Sequence, residues 1–184
     1  MKMQRALLVL PLLALGAAPA PPPEALARSR AAADAFLAEL RQALDAALSA
    51  GGPAAAVEAC AAIAPALAQI HSERSGLAVR RVALRVRNPA SVPDAFERQA
   101  LERLAEAPMA PDGRQAEIFA ETEGEFRYLR AIPTQGPCLL CHGPAVAPEV
   151  RAAIAQHYPH DQAMGFREGE LRGAVAIRWP RADR

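Results

Sequence analysis

The chain has 184 residues, and its 21 Lys and Arg against 20 Asp and Glu give a formal net charge of +1 at pH 7. A charge so close to zero gives no support to binding of nucleic acid or of an anionic membrane surface. Three cysteines are too few for the disulfide framework of a small secreted domain. The length fits one domain with its own hydrophobic core.

The N-terminus has the layout of a secretory signal peptide. Lys2 and Arg5 precede an apolar stretch over residues 6–18, and a proline-rich run over 19–23 follows. We therefore predict a signal peptide over residues 1–20 and a protein that works in the periplasm.

The mature domain is predicted over residues 24–184. The cleavage site stays open, because Pro21 disfavours a cut directly after Ala20. Cleavage after residue 16 or 17 and an uncleaved N-terminal anchor are the alternatives. No later segment is apolar and long enough to predict a transmembrane helix.

The mature domain begins with two predicted helices. The first covers residues 24–50, where the apolar side chains lie close to one stripe, and a Gly-Gly pair ends it. The second covers 54–71 and contains Pro65, which removes one backbone hydrogen bond. We predict that this helix bends near Cys60.

The elements after these helices are mostly strands. Apolar and polar residues alternate over 77–87, which is typical of a strand with one wet face. A third helix is predicted to start at Ser91, its N-cap, and to end near residue 107. The other predicted elements are a hairpin over 117–122 and 125–132, a short helix over 148–156 and a strand over 173–179.

The most specific motif of the chain is Cys-x-x-Cys-His, formed by Cys138, Cys141 and His142. This spacing is the attachment signature of haem c. Two thiols three residues apart can form thioethers with the vinyl groups on one porphyrin edge, and the imidazole that follows can ligate the iron. Haem c is attached outside the bacterial cytoplasm, so the motif agrees with the predicted signal peptide.

Two other functions of a Cys-x-x-Cys pair fit less well. A closed zinc site would need more Cys or His nearby than this segment offers. A thioredoxin-like dithiol usually opens a helix after a strand, whereas Pro137 and Gly143-Pro144 bracket this motif with turns.

The late position of the motif, among predicted strands, separates this chain from the small helical electron carriers, which have it near the N-terminus. Helices followed by strands predict an α+β fold. We expect a PAS-like antiparallel sheet that is flanked by the N-terminal helices and holds one covalently bound haem c.

The chain resembles the single-haem, c-type, PAS-like sensor domains of cyanobacteria and proteobacteria, which occur alone in the periplasm or as the sensor part of histidine kinases. The resemblance covers roughly residues 30–180. It rests on spaced segments, which are Cys60 with Ile63-Ala64-Pro65, Arg80-Arg81 with Arg87-Asn88-Pro89, Pro93-Asp94 with Glu97, the haem motif with Gly143, Tyr158-Pro159 with Asp161, Ala163 and Gly165, and Gly169 to Gly173. One departure is Val82-Ala83, where the family more often has hydroxyl residues.

The resemblance implies a His/Cys-ligated haem, with His142 as proximal ligand and Cys60 as second axial ligand. The residues alone also allow Cys60 to be a small buried hydrophobe on an apolar helix face. Other candidates for the sixth ligand are His71, His157, His160 and Met164.

Arginines on the first strand are candidates for pairing with the haem propionates, because a guanidinium matches a carboxylate. Arg80 and Arg81 are the favoured pair. The alternative is a solvated strand face.

The leading functional hypothesis is a periplasmic sensor of redox state or of a diatomic gas such as CO or NO. Reduction weakens an iron–thiolate bond, so Cys60 would leave and open a coordination site. The alternative is an electron-transfer cytochrome c with a redox partner protein. We expect no enzymatic activity, because no nucleophile triad, phosphate-binding loop or paired-carboxylate site is evident.

Overall fold

The structure is a computed structural model that describes residues 22–122 and 124–180. The predicted signal peptide, residues 1–20, lies outside the described residues. The helices are α1 Pro23–Ser75, α2 Ala95–Glu106, α3 Leu139–His142 and α4 Pro148–His157, and the strands are β1 Ala78–Val82, β2 Glu117–Thr122, β3 Glu125–Pro133 and β4 Leu171–Pro180. Single 3-10 turns lie at Pro89–Ser91 and Gly136–Cys138.

The four strands form one antiparallel sheet in the order β1-β4-β3-β2. The hairpin of β2 and β3 is confirmed, with Thr122 opposite Glu125. The last strand lies inside the sheet, where Ile177 is opposite Val79 of β1 on one side and Tyr128 of β3 on the other. Helices and an antiparallel sheet confirm the α+β prediction.

Each face of the sheet is covered by a different helix, because alternate side chains of a strand point to opposite faces. On one face Phe36 of α1 packs with Tyr128 and Ile177. On the other face Leu101 of α2 packs with Leu129. The sheet is therefore covered on both sides, by α1 on one face and by α2 on the other.

Helix α1 reverses direction at Gly52, whose φ of 73° and ψ of −172° are not helical. Beyond the reversal, Arg74 pairs with Glu39 at 3.1 Å, and the His71 ring meets Phe36 edge-on at 5.6 Å. In a straight helix Glu39 and Arg74 would be roughly 50 Å apart at 1.5 Å per residue. The two predicted helices are thus the two halves of a helical hairpin, and the Gly-Gly pair ends the first half.

The second half of α1 keeps helical dihedral angles through Pro65. The non-helical dihedral angles of α1 therefore lie at Gly52, whereas the residues around Cys60, where the sequence predicted a bend, keep helical dihedral angles. A proline in a helix loses one hydrogen bond, but the neighbouring turns hold the helix here, whereas φ above zero at Gly52 ends it.

Helix α1 has the length and apolar composition that would allow it to cross a membrane, by those two criteria alone. The sequence analysis predicted no such segment after the signal peptide. The contacts of α1 account for its composition, because Phe36 and Ala33 are buried against the sheet and Val57 is buried against α4.

The first strand is shorter than the predicted 77–87, since β1 ends at Val82. Beyond it the Ala83 amide donates to Ser91 O at 3.1 Å and not to β4. The chain then meets the segment before β4, where the Gln162 amide donates to Val86 O at 2.9 Å. Residues 83–88 therefore leave the sheet and run towards the haem motif.

We expect Gly52→Ala to lower the free energy of unfolding by about 1–3 kcal/mol, because φ and ψ at Gly52 fall in a region that is almost closed to other residues. Urea unfolding of the haem-free protein measures this change. Gly136→Ala is the control, since φ there is not positive and a Cβ would meet only Glu168 Oε1 at 4.0 Å. Equal stability of the two variants would contradict the strained reversal.

Candidate functional site

A cavity of about 480 Å³ lies between the two halves of α1, the sheet and the segment with the haem motif. Most of its wall is aliphatic, with Leu40 and Leu44 from the first half of α1 and Val57 and Ala64 from the second. The volume is in the range of about 300–1,000 Å³ that is typical of cofactor sites.

The motif residues, Cys60 and the two favoured arginines all line this one cavity. Cys138, Cys141 and His142 reach it from the connection between β3 and β4, and Cys60 reaches it from the second half of α1. Arg80 and Arg81 reach it from β1. The three cysteines are free thiols. Residues far apart in the sequence thus meet where the helical hairpin closes over the sheet.

The motif is held in a tight helical segment, where the sequence analysis expected a loop. Cys138 ends a 3-10 turn, and Cys141 and His142 form the end of α3. The Gly143 amide returns to Leu139 O at 2.9 Å, and a Cβ on Gly143 would lie 2.6 Å from that oxygen. A glycine is therefore needed directly after the histidine.

The His142 ring is fixed by a hydrogen bond from Nδ1 to Ala163 O, with 2.6 Å between the two atoms. A carbonyl only accepts, so Nδ1 carries the hydrogen and Nε2 keeps its lone pair. Burial and the positive charges of Arg172, Arg87 and Arg81 lower the pKa of His142 to about 2. The neutral imidazole with a free Nε2 is the form that binds a metal ion.

Arg172 lies directly beside this ring, a contact that the sequence analysis missed. Its Nε is 3.2 Å from Nδ1 and 3.3 Å from Nε2 of His142, so it is almost equally close to both ring nitrogens. Arg172 is buried, and burial lowers its pKa to about 9. Its only sequence signal is a place in the family segment from Gly169 to Gly173.

The two arginines predicted to pair with propionates differ in their surroundings. Arg80 donates to Val92 O at 2.5 Å and pairs with Glu97 at 3.5 Å, on the α2 side of the sheet. Arg81 makes no hydrogen bond or ion pair within residues 22–122 and 124–180. Burial lowers the pKa of Arg81, and the facing Cys60 thiol opposes that change. Arg81 is therefore an arginine whose N–H donors have no acceptor among the described residues.

The cavity carries an excess of positive charge. Five arginines line it, and Asp45 is the one acidic side chain in its described wall. Arg80 pairs with Glu97 and Arg87 with Asp161, so these two are neutralised. The three others are Arg41, Arg81 and Arg172. After Asp45 is counted against them, about two positive charges remain to attract an anionic group.

Cys60 lies among the same cations. Burial raises the pKa of its thiol, and the positive charges of Arg81 and Arg87 oppose that rise. Burial therefore favours the protonated thiol, while the nearby guanidinium groups would stabilise a thiolate that a bound metal ion had deprotonated.

The four other candidates for a sixth ligand do not line the cavity. His71 is buried with Nε2 at 3.2 Å from Glu39, and it joins the two halves of α1. Met164 packs with Val150 in the cluster around α4. His157 and His160 lie at and beyond the end of α4. In the described residues Cys60 is thus the candidate ligand that faces the motif.

We expect the haem-free protein to lose stability as the pH falls below about 6.5, because an unfolded histidine then binds a proton that folded His142, with its lowered pKa, does not. The slope is at most about 1.4 kcal/mol per pH unit and is smaller for a partly exposed ring. Urea unfolding at about pH 7 and about pH 5 measures it. His142→Asn should flatten the slope, with the exposed His160→Asn as control; a slope that His142→Asn leaves unchanged would contradict the neutral ring.

Comparison with known proteins agrees with this geometry. A family model described as "Tll0287-like: Tll0287" matches residues 22–180. The chain is similar to the crystal structure of the cyanobacterial heme-protein Tll0287, with 30% sequence identity and a TM-score of 0.65, over 89% of this chain and 99% of that chain. No curated protein matches the chain significantly. The family match covers nearly all the described residues, and the chain belongs to the Tll0287-like family.

Proposed function

We propose that the protein is exported to the periplasm and binds one haem c, attached through Cys138 and Cys141 and ligated by His142 and Cys60. The observation that carries this proposal is that the motif and the distant Cys60 thiol line the same cavity, most of whose wall is aliphatic. Membership of a family with a known heme-protein supports it independently.

The cavity fits a haem in size, polarity and charge. Aliphatic walls favour the porphyrin, and about two uncompensated positive charges match two propionates. Arg81 is the arginine that we assign first to the propionates, since the donors of Arg80 already bind Val92 and Glu97. Arg172 is the second, although its Nε lies against His142 and its Nη1 contacts Arg85 O at 3.4 Å. The cavity also lies between an antiparallel sheet and helices, which supports a PAS-like arrangement.

Cys60 is the residue through which a sensor would respond. A bound haem supplies one-electron chemistry and an iron that can bind a diatomic gas. Cys60 would hold a ferric iron as a thiolate, and the positive charges of Arg81 and Arg87 would stabilise that thiolate. Because burial raises the pKa of the Cys60 thiol, a weaker iron–thiolate bond in the reduced protein would let Cys60 take up a proton and free a position for CO or NO. The leading role is therefore a redox or gas sensor with a signalling partner, and not an enzyme.

A periplasmic electron carrier is the second candidate, and one observation favours it. Leu140, between the two cysteines, is 47% exposed. An apolar side chain at the surface beside the attachment site lets a redox partner approach the haem edge closely. A carrier would keep both axial ligands in both oxidation states.

We expect protein matured in a bacterium with cytochrome c maturation machinery to keep its haem under denaturing conditions, with a mass higher by one haem. The Cys138→Ser/Cys141→Ser double variant should lose the covalent haem, because no thiol remains for the thioethers. Mass spectrometry and haem-stained gels measure this. Cys60→Ser is the control and should keep the covalent haem. A wild-type protein at its bare polypeptide mass without a Soret band would refute the proposal.

We expect Cys60→Ala to convert the ferric haem from low spin to high spin and to raise its reduction potential, because a thiolate favours the ferric state. EPR and a spectroelectrochemical titration measure both changes. Ala64→Ser, one turn further along the same cavity wall, is the matched control and should behave as wild type. If the Cys60→Ala spectrum and potential equal those of wild type, the sixth ligand is another group.

The two roles differ in the reduced state. A sensor that releases Cys60 should bind CO after reduction, and Cys60→Ala should bind it faster because no thiol has to leave. Stopped-flow absorbance of the dithionite-reduced proteins measures the rates. If reduced wild type stays six-coordinate and excludes CO while Cys60→Ala binds it, Cys60 stays ligated and the electron carrier is the correct role.

A further inference from the structure

Arg87 and Asp161 form a buried ion pair next to the motif. The distance from Arg87 Nε to Asp161 Oδ1 is 2.9 Å, and that from Nη2 to Oδ2 is 3.3 Å. The two side chains are only 10% and 4% exposed. A bidentate pair with so little water around it holds one geometry, unlike an exposed pair.

The same guanidinium contacts two backbone carbonyls next to His142, one in the chain before it and one that its ring binds. Arg87 Nη2 donates to Cys141 O at 2.7 Å and lies 3.3 Å from Ala163 O. Cys141 precedes His142 in the chain, and Ala163 O accepts from His142 Nδ1. Asp161 completes the arrangement, because its Oδ1 accepts from the Ala163 amide at 3.0 Å.

We propose that the Arg87–Asp161 ion pair positions the haem ligand His142. The pair holds Ala163, and Ala163 O in turn fixes the rotation of the His142 ring. This inference rests on the proposed ligation of iron by His142. The group that accepts a hydrogen bond from the other ring nitrogen of a metal-bound histidine sets the orientation of the ring and its electron donation to the metal. Because Ala163 O also faces the Arg87 cation, it accepts less strongly from Nδ1–H, and His142 is a weaker electron donor than it would be without Arg87.

The pair does more than fasten two segments together, because other contacts already do that. The Gln162 amide donates to Val86 O at 2.9 Å, and Arg85 Nε donates to Gln162 O at 3.2 Å. Arg85 touches the same segment as Arg87 but contacts neither Cys141 nor Ala163. Arg85 therefore offers a matched control on the same stretch of chain.

The test compares Arg87→Gln, Asp161→Asn and Arg85→Gln in the haem-loaded protein. We expect Arg87→Gln to shift and broaden the low-spin EPR signal, since the His142 ring loses its fixed rotation, and to lower the reduction potential, since His142 donates more strongly and a cation is lost. Asp161→Asn should also change the EPR signal but should raise the potential, because an anion is removed. Arg85→Gln should keep the wild-type EPR signal.

Arg87→Lys separates charge from geometry. It keeps the positive charge but cannot form the bidentate pair and both carbonyl contacts, so we expect a potential near that of wild type with an altered EPR signal. If Arg87→Gln and Asp161→Asn both give the wild-type EPR signal with haem bound, the positioning role is refuted. A wild-type protein without haem would instead refute the proposed function.

A readout without haem keeps the inference testable if a variant does not mature. In the Cys138→Ser/Cys141→Ser protein, NMR measures solvent exchange of the His142 Nδ1–H hydrogen. Asp161→Asn should speed this exchange about tenfold, the factor that corresponds to one lost hydrogen bond. Unchanged exchange in that variant, with Arg85→Gln as control, would overturn the positioning role.

Discussion

The reversal of α1 at Gly52 is the constraint on which the site depends. It folds one long apolar helix back on itself, so that the two halves face each other and the sheet and leave a cavity between them. Glu39, with His71 and Arg74, closes the far end of this hairpin. At the near end Pro53 O lies 4.0 Å from the sulfur of Cys141, so the turn itself touches the motif. The same reversal brings the third thiol to the cavity.

The charges of the cavity explain why binding and stability should be coupled. The half-buried guanidinium of Arg81, which has no hydrogen-bond partner among the described residues, lies in surroundings that disfavour its charge. A dianionic cofactor would relieve this cost, because its carboxylates would pair with the guanidinium of Arg81. The cofactor would thus stabilise the fold by binding only the folded state.

The sequence predicted those parts of the molecule that local patterns determine. The helix and strand periods located the two halves of α1, α2, α4 and the four strands, but not the short α3, and the motif spacing indicated the candidate attachment site. The register between distant segments is what local patterns do not encode. Alternation continues to residue 87, so β1 was predicted too long, yet the chain leaves the sheet after Val82 because Ala83 bonds to Ser91. Arg87 and Asp161 both belong to segments on which the family resemblance rests. Only the fold shows that they form an ion pair and that this pair lies next to His142. No local sequence pattern indicated the role of Arg172, since the sequence does not distinguish a buried arginine in a strand from an exposed one.

A sensor has to transmit a change at Cys60 to another part of the protein, and the packing of α1 on α4 offers a way to do so. Val57 lies one turn before Cys60 on the same face of α1, and it is buried against Val150 and Ile154 of α4. A shift of this half of α1 when the thiol leaves the iron would therefore press on α4. The chain after α4 leads directly to Asp161, and hence to the carbonyl that holds His142. The two proposed axial ligands are thus linked through α4, and each would respond to the loss of the other. An electron carrier exchanges electrons fastest when neither ligand moves, so it would not depend on such a link. The packing of Val57 on α4 is therefore the feature that favours the proposed sensor over the proposed carrier.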